Sequence, residues 1–245
     1  MDQARRQLMI ALDLPSGEEA ETFLSHWQGE EKPWIKVGYQ LFYATGPRWI
    51  YERKQEGYSI FLDLKLHDIP NTVAKAVESI SKLGVDFLTL HAMGGSEMMK
   101  RARESAEQFA SSSECRTRLL AVTQLTSTHE KMLHDELGIN SSMEQAVLRS
   151  AKLAHQAGTD GVICSGQEAR AIKEATEPSF LAVTPGIRPI GASANDQKRV
   201  VTPTAAIQAG ADHLVVGRAI THAPDPLEAY HQILQEIIEA RGKLR

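Results

Sequence analysis

The sequence predicts one α/β domain over residues 1–245, folded as a single (β/α)8 barrel. Eight short apolar or alternating runs of strand length are separated by helical segments, which is the order of a parallel sheet with helical crossovers. The length of 245 residues matches one such barrel, which typically takes roughly 250. Gly-x-Asp precedes three of the runs, at Gly84-Val85-Asp86, Gly158-Thr159-Asp160 and Gly210-Ala211-Asp212. Glycine can turn left-handed where a helix stops, and the chain then re-enters the sheet. An open doubly wound sheet is the alternative, but no GxGxxG follows the first run.

Residues 8–14 (LMIALDL), closed off by Pro15 and Ser16, form the first expected strand, and a helical stretch follows to about residue 28. Residues 34–38 (WIKVG) are the second strand, with Lys36 on the face opposite Ile35 and Val37; residues 40–55 are helical. Residues 59–66 (SIFLDLKL) are the third. Their period of two puts Ile60, Leu62, Leu64 and Leu66 on one face and Phe61, Asp63 and Lys65 on the other. Pro70 suits the first turn of a helix beginning near Asn71. FLTLHA, ending near His91, is the fourth strand, then a helix over 95–110 and a loop at 111–113. Residues 118–126 (RLLAVTQLT) are the fifth, and a longer polar helical region runs through His155. GVICSG is the sixth strand, 180–183 the seventh, HLVVGRAI the eighth, and an amphipathic helix over 226–240 ends the pattern. No linker or low-complexity tract divides the chain.

A hydrophobic content of 42% supplies one large core. The net charge of −4 and pI near 6.1 leave no basic footprint for nucleic acid or an acidic membrane surface, so any anion site must be local. Cys115 and Cys164 stand far apart without metal-ligand spacing, which fits a reducing compartment. No apolar run approaches the ~18 residues of a membrane span. The charged N-terminus runs directly into a strand without the layout of a signal peptide, so a cytoplasmic location is expected.

In a barrel of this kind the chemistry sits where the strands end, on inward side chains. Met9, Ala11 and Asp13 share a face on the first strand, Trp34 and Lys36 on the second, and Phe61, Asp63 and Lys65 on the third. Two ammonium groups and two carboxylates therefore gather at one rim. A buried ion-pair network contributes little to stability, so the array points to charge stabilisation at a reacting carbon with a lysine as proton donor. His67 and His91 near this rim raise a metal-site reading. Against it, Lys65 would stand among the supposed ligands and compete with a cation for the same carboxylates. His129, His134, His155, His213, His222 and His231 are assigned solvated or packing roles.

The seventh and eighth strands run into Gly186-Ile187-Arg188 and Gly217-Arg218. Loops after these strands are where barrels often hold a phosphate. Gly217 allows close approach to the backbone, and Arg188 and Arg218 offer planar donors for phosphate oxygens. The Gly-, Ala-, Ser- and Asn-rich segment 189–197 is expected to act as a lid, from which Gln197 reaches down.

Asp63-Leu64-Lys65-Leu66-His67-Asp68-Ile69-Pro70-Asn71-Thr72 resembles the D-x-K-x-x-D-I-P-N-T signature of the orotidine 5′-phosphate decarboxylase family. Asp13 in ALDL, Lys36 in IKVG, Thr126 in QLTS, the PGIRP segment, Gln197 and VVGRAI follow in that family's order, so the resemblance covers the whole chain. It implies a single (β/α)8 TIM barrel that converts orotidine 5′-phosphate to UMP and CO2, the final step of UMP biosynthesis, with no metal or organic cofactor. By that likeness Lys65 protonates C6 of the pyrimidine and Asp63 lies beside the departing carboxylate, while Lys36 and Asp68 complete the array. Asp13 and Lys36 would contact the ribose, Thr126 the base, and Arg188, Gln197, Gly217 and Arg218 the phosphate. The resemblance also implies a homodimer with shared active sites, in which Asp68, Ile69 and Thr72 reach the partner's site. A metal-dependent sugar-phosphate decarboxylase or aldolase-like synthase shares the D-x-K-x-x-D core, but the Ile-Pro-Asn-Thr continuation favours the nucleotide enzyme. A non-catalytic phosphate sensor would have no need of Lys65 within a carboxylate pair.

Overall fold

The computed structural model describes residues 2–110, 115–189 and 201–243. Eight parallel strands close on themselves in sequence order: β1 (Leu8–Ala11), β2 (Trp34–Gly38), β3 (Ser59–Leu66), β4 (Phe87–His91), β5 (Arg118–Val122), β6 (Gly161–Ile163), β7 (Leu181–Thr184) and β8 (His213–Val216). The closing pair joins β1 to β8, with Met9 opposite Val215. Helices cover the outside: α1 (Asp2–Arg5), α2 (Gly17–Leu24), α3 (Tyr39–Gln55), α4 (Pro70–Ser81), α5 (Gly95–Gln108), α6 (Glu130–Asp135), α7 (Met143–Gln156), α8 (Ala169–Ala175), α9 (Pro203–Gln208), α10 (Arg218–Thr221) and α11 (Pro226–Gly242). The α/β fold class read from the strand and helix order is the one observed.

The period of two along the strands divides the core in two. Met9, Ala11, Phe61, Phe87, Leu120, Val183 and Val215 fill the barrel interior, while Ile10, Ile35, Leu62, Leu88 and Leu214 face the helices in the larger outer core. At roughly 25 cal/mol per Å² of apolar surface removed from water, the outer layer is the main source of cohesion.

Each Gly-x-Asp junction works as a clamp at the N-terminal end of the barrel. Its glycine has a positive φ, +75° at Gly84, +83° at Gly158 and +91° at Gly210. The aspartate that follows accepts, through Oδ2, a 2.7 Å hydrogen bond from a backbone amide near the start of the preceding strand: Ile60 for Asp86, Leu119 for Asp160 and Ala182 for Asp212. The aspartate amide in turn donates to the carbonyl of that same residue at 2.9 Å in all three cases. A cation completes each clamp: Lys54 at 2.7 Å from Asp86, Arg103 at 3.1 Å from Asp160 together with Arg116, and Lys173 at 2.6 Å from Asp212.

Several expected boundaries move. The runs at 8–14, 118–126, 161–166 and 213–220 leave the sheet early, at Ala11, Val122, Ile163 and Val216. Their apolar pattern continues past the last ladder pair because the chain stays buried beside the next strand: Leu12, fully buried, donates its amide to the Lys36 carbonyl at 2.9 Å, and Cys164, nearly so, to that of Val183 at 3.1 Å. In the last of them, Arg218 opens α10 instead of continuing the strand. Strand seven begins and ends one residue later than the expected 180–183. The expected helix over 40–55 is interrupted at Gly46, whose φ of 74° and ψ of −179° precede Pro47. The polar stretch through His155 divides into α6 and α7, the second opened by a capping box between Ser142 and Gln145. The loop at 111–113 lies outside the described residues.

Candidate active site

The ends of β1, β2 and β3 bring Asp13, Lys36, Asp63 and Lys65 together, as their shared parity predicts. Lys36 Nζ donates to Asp13 Oδ1 at 2.9 Å and stands 3.8 Å from Asp63 Oδ2. Lys65 Nζ donates to the same Asp63 oxygen at 2.9 Å. Carboxylate and ammonium therefore alternate along the rim, with the middle of the array the most enclosed: the side chain of Asp13 is 63% exposed, those of Lys36 and Asp63 are 11% and 15%, and that of Lys65 is 27%. Gly38 leaves room for this, since a Cβ there would lie 3.2 Å from Lys36 Nζ. Burial alone would raise the pKa of Asp63, but the charges of Lys36 and Lys65, with hydrogen bonds from Lys65 and Thr89, outweigh it and hold the carboxyl below its ordinary value.

Lys65 reaches this position through an unusual backbone. Its φ of +45° is left-handed, and among the described residues no other non-glycine residue has a positive φ. Such a conformation costs an L-residue roughly 1–2 kcal/mol. It falls where the ladder between β3 and β4 shifts register: Leu62 pairs with Leu88, but the next pair is Leu66 with Leu90. Two extra residues on β3 thus lift Asp63 and Lys65 out of regular pairing with β4, while Asp63 stays opposite Gly38 on β2. Thr89, fully buried on β4, fills the gap. Its Oγ1 accepts from the Lys65 amide at 2.8 Å and donates to Asp63 Oδ1 at 2.9 Å. Nothing in FLTLH marks this threonine, which reads there as an ordinary strand residue.

The array opens into a cavity of about 420 Å³. Asp13, Lys36, Asp63 and Lys65 line it together with Gly186, Arg188, Gly217, Arg218 and Thr126, and Gly217 stands beside Asp13, since a Cβ there would lie 4.0 Å from Asp13 Oδ2. Apolar Ala11, Phe61, Ile163 and Val215 form part of its lining. Arg188 is buried, and its guanidinium donates to the Ile187 carbonyl at 2.8 Å. Its backbone amide donates to Val201 at 3.0 Å, which ties the end of β7 to the segment leading into α9. Gln124 and His222 also line the cavity and were not singled out from sequence. His222, expected in a solvated or packing role, follows α10 directly, a position invisible while 213–220 reads as one strand.

Asp68, Ile69 and Thr72 do not line this cavity. Asp68 is exposed and accepts from the Ile69 amide at 2.6 Å, Ile69 is 65% exposed, and Thr72 is exposed at the start of α4. Gln197 and the segment 190–200 lie outside the described residues. The rings of His67 and His91 stack with centroids 5.4 Å apart. Burial, and after it the neighbouring His67 and Lys65, lower the pKa of His91. Among the described residues no group of three His, Cys, Asp or Glu side chains converges in a way that could hold a metal ion.

Known proteins resemble this chain over most of its length. The profile described as orotidine 5′-phosphate decarboxylase / HUMPS family matches residues 6–233. The chain belongs to this family. The match takes in all eight strands. An orotidine 5′-phosphate decarboxylase of Streptococcus pneumoniae (strain ATCC 700669 / Spain 23F-1) is 51% identical over 228 residues, covering 93% of this chain and 95% of the relative. The crystal structure of orotidine 5′-phosphate decarboxylase from Lactobacillus acidophilus is 41% identical with a TM-score of 0.83, over 94% of this chain and 98% of that one. An uncharacterized conserved protein from Geobacillus kaustophilus is similar at 43% identity and a TM-score of 0.84, over 94% and 99% of the two chains.

Proposed function

We infer that this chain decarboxylates orotidine 5′-phosphate to UMP and CO2, as one catalytic barrel over its whole length. The observation that carries the reading is the alternating Asp13, Lys36, Asp63, Lys65 array lining a cavity that Arg188 and Arg218 also line. The family membership and the names of the relatives agree with it.

The chemistry follows from the charges. Loss of CO2 leaves an electron pair on C6 of the pyrimidine with no adjacent carbonyl to take it up. The Lys65 ammonium, fixed by Asp63, stabilises that carbanion and delivers a proton to the same carbon. Asp63 lies beside the substrate carboxylate, and their repulsion disappears as neutral CO2 departs. Lys36 keeps Asp63 ionised at 3.8 Å, a distance at which one charge offers about 4 kcal/mol at an effective dielectric of 20. Asp13 and Lys36 bind the ribose, Thr126 meets the base, and Gly217, Arg188, Arg218 and Gln197 take the phosphate. Phosphate binding energy, realised far from C6, organises the reacting end.

The reaction as proposed uses no metal and no organic cofactor. Asp68, Ile69 and Thr72 serve the site of a second copy, so the working form is a homodimer with shared active sites; their exposure outside the chain's own cavity supports this, as do the exposed Tyr39 and Tyr43 near the mouth. A cytoplasmic location is proposed from the sequence. Among the described residues no helix is long and apolar enough to cross a membrane, and the net charge of −4 supports a small-molecule substrate in preference to nucleic acid.

The test is to follow the ultraviolet absorbance of orotidine 5′-phosphate with purified protein, with and without EDTA. Equal rates of loss are expected. No turnover would overturn the reading, and turnover abolished by EDTA would favour metal-dependent sugar-phosphate chemistry.

A further inference from the structure

We propose that Thr89 is a positioning residue for the decarboxylation, holding the Lys65 backbone and the Asp63 carboxylate in one fixed relation through a single hydroxyl group. The inference rests on the functional reading above and extends it to a residue outside the charged array.

The hydrogen-bond directions leave the hydroxyl no choice. The Lys65 amide can only donate, so Thr89 Oγ1 accepts there, at 2.8 Å. Its own proton is then available to Asp63 Oδ1, at 2.9 Å. Asp63 is thereby split by function: Oδ1 is anchored to β4, and Oδ2 alone faces Lys65 at 2.9 Å and Lys36 at 3.8 Å. Without the hydroxyl, the carboxylate plane could rotate about its last torsion, a broad and weakly restrained one, and carry Oδ2 away from both ammonium groups.

The same hydroxyl supports the strained turn. At φ +45° the Lys65 amide has left the regular ladder, in the stretch between Leu62 and Leu66 where pairing with β4 is interrupted. Thr89 receives that amide from the neighbouring strand, so the left-handed turn that aims the Lys65 amine inward carries a satisfied N–H. Strain of this kind persists where its surroundings over-determine it. A threonine does this with little freedom of its own, because branching at Cβ restricts χ1 and the residue is fully buried.

The substitution that isolates the hydroxyl is Thr89→Val, which keeps shape and branching. Expected is a fall in kcat of about 10- to 100-fold, the size of a lost hydrogen bond to a charged group, with the KM for orotidine 5′-phosphate and the affinity for UMP little changed. Thr89→Ser, which restores the hydroxyl, should recover most of the loss. The acid limb of kcat/KM should also move to higher pH in Thr89→Val, since one hydrogen bond favouring ionised Asp63 is gone. The other charged and titratable groups around this carboxylate, Lys36 on β2, Lys65 on β3, Tyr39 on α3 and, beyond them, Asp13 and His91, are unaltered. Wild-type kcat and an unmoved acid limb in folded Thr89→Val would overturn the proposal, as would a Thr89→Ser protein as slow as Thr89→Val. Should the valine protein not fold, Thr89→Cys places a weaker donor and acceptor at the γ position without the branch; a kcat between those of Thr89→Ser and a dead site supports the role and an undiminished one overturns it. Carbon-13 NMR of the Asp63 carboxyl reads the same upward displacement without turnover. An inactive wild-type protein would therefore sink the functional reading while leaving the Thr89–Asp63 link to be judged by that titration.

Discussion

The two ends of the barrel use the same groups for opposite purposes. At the N-terminal end Asp86, Asp160 and Asp212 each meet a cation, and each also accepts a strand amide at 2.7 Å while donating its own amide back at 2.9 Å. Each carboxylate is thereby bonded to the backbone of the preceding strand as well as to its cation. At the C-terminal end Asp13 and Asp63 meet Lys36 and Lys65 across similar distances, but there the carboxylates are bonded to side chains and not to strand amides, and one member of the array stands on a left-handed backbone. Ion pairs whose carboxylate also takes a strand amide fasten strands together. Ion pairs held by side chains alone in the barrel mouth can act on something that enters it.

Breaking each end should therefore give different losses. The largest effect is expected from Lys65→Ala, which removes the proposed proton donor and the charge at C6: turnover should fall by at least about 10⁴-fold, with the thermal midpoint little changed. Mixing that variant with an inactive Asp68→Ala protein should restore activity if sites are shared between copies; assays of the mixture that remain dead would remove the dimeric part of the reading. At the other end, Asp160→Ala leaves the half-buried Arg116 and the Leu119 amide without their acceptor. A loss of about 3–4 kcal/mol of folding stability is expected, read by urea unfolding, with kcat per folded molecule unchanged. A fall in kcat comparable to that of Lys65→Ala would mean that the two ends are not separable.

A smaller effect sharpens the contrast through pH. His213 begins β8 inside the barrel, packed near Trp34 and Phe87, and burial lowers its pKa to about 4, partly opposed by the 2.8 Å contact of Nδ1 with the Arg6 carbonyl. Its folded value lies below the unfolded one, near 6.5, so the unfolded chain takes up the proton first as pH falls. The stability from keeping this ring neutral is whole above about pH 6.5 and drains away toward pH 4, by up to about 3 kcal/mol. Thermal unfolding across that range should be flatter for His213→Gln than for the parent protein; parallel curves would reject the assignment. The pKa of Asp63 is likewise held below its ordinary value, but there it is the charged form that the surroundings favour. Its contribution is present above that ordinary value and is lost only as pH drops through the depressed one.

Much of the mouth was legible because parity is a local property. Asp13, Lys36, Asp63 and Lys65 could be assigned to one face from the alternation of Met9, Ala11, Phe61 and their neighbours, and the two extra residues on β3 did not spoil this because an even insertion preserves facing. The strand ends were less legible, since Leu12 and Cys164 remain buried beyond the last ladder pair and hydrophobicity reports burial more directly than the end of a strand. Thr89 was missed because its role depends on a register shift between β3 and β4, which is a relation between strands. His222 was missed because the turn from β8 into α10 cannot be seen in an apolar run that continues through it. For Asp68, Ile69 and Thr72 the expectation concerns a second chain, and a cavity built from one copy does not test it.

The interrupted pairing between β3 and β4 has a consequence for any attempt to shorten or regularise this part of the chain. Deleting a single residue between Leu62 and Leu66 would reverse the orientation of everything after the cut and swing the amine toward the helices. Removing a pair would keep it pointing inward but pull it one pleat down, below the level of its partners. The spacing at this point is thus a gauge of length as well as of direction, and engineering here has to conserve both.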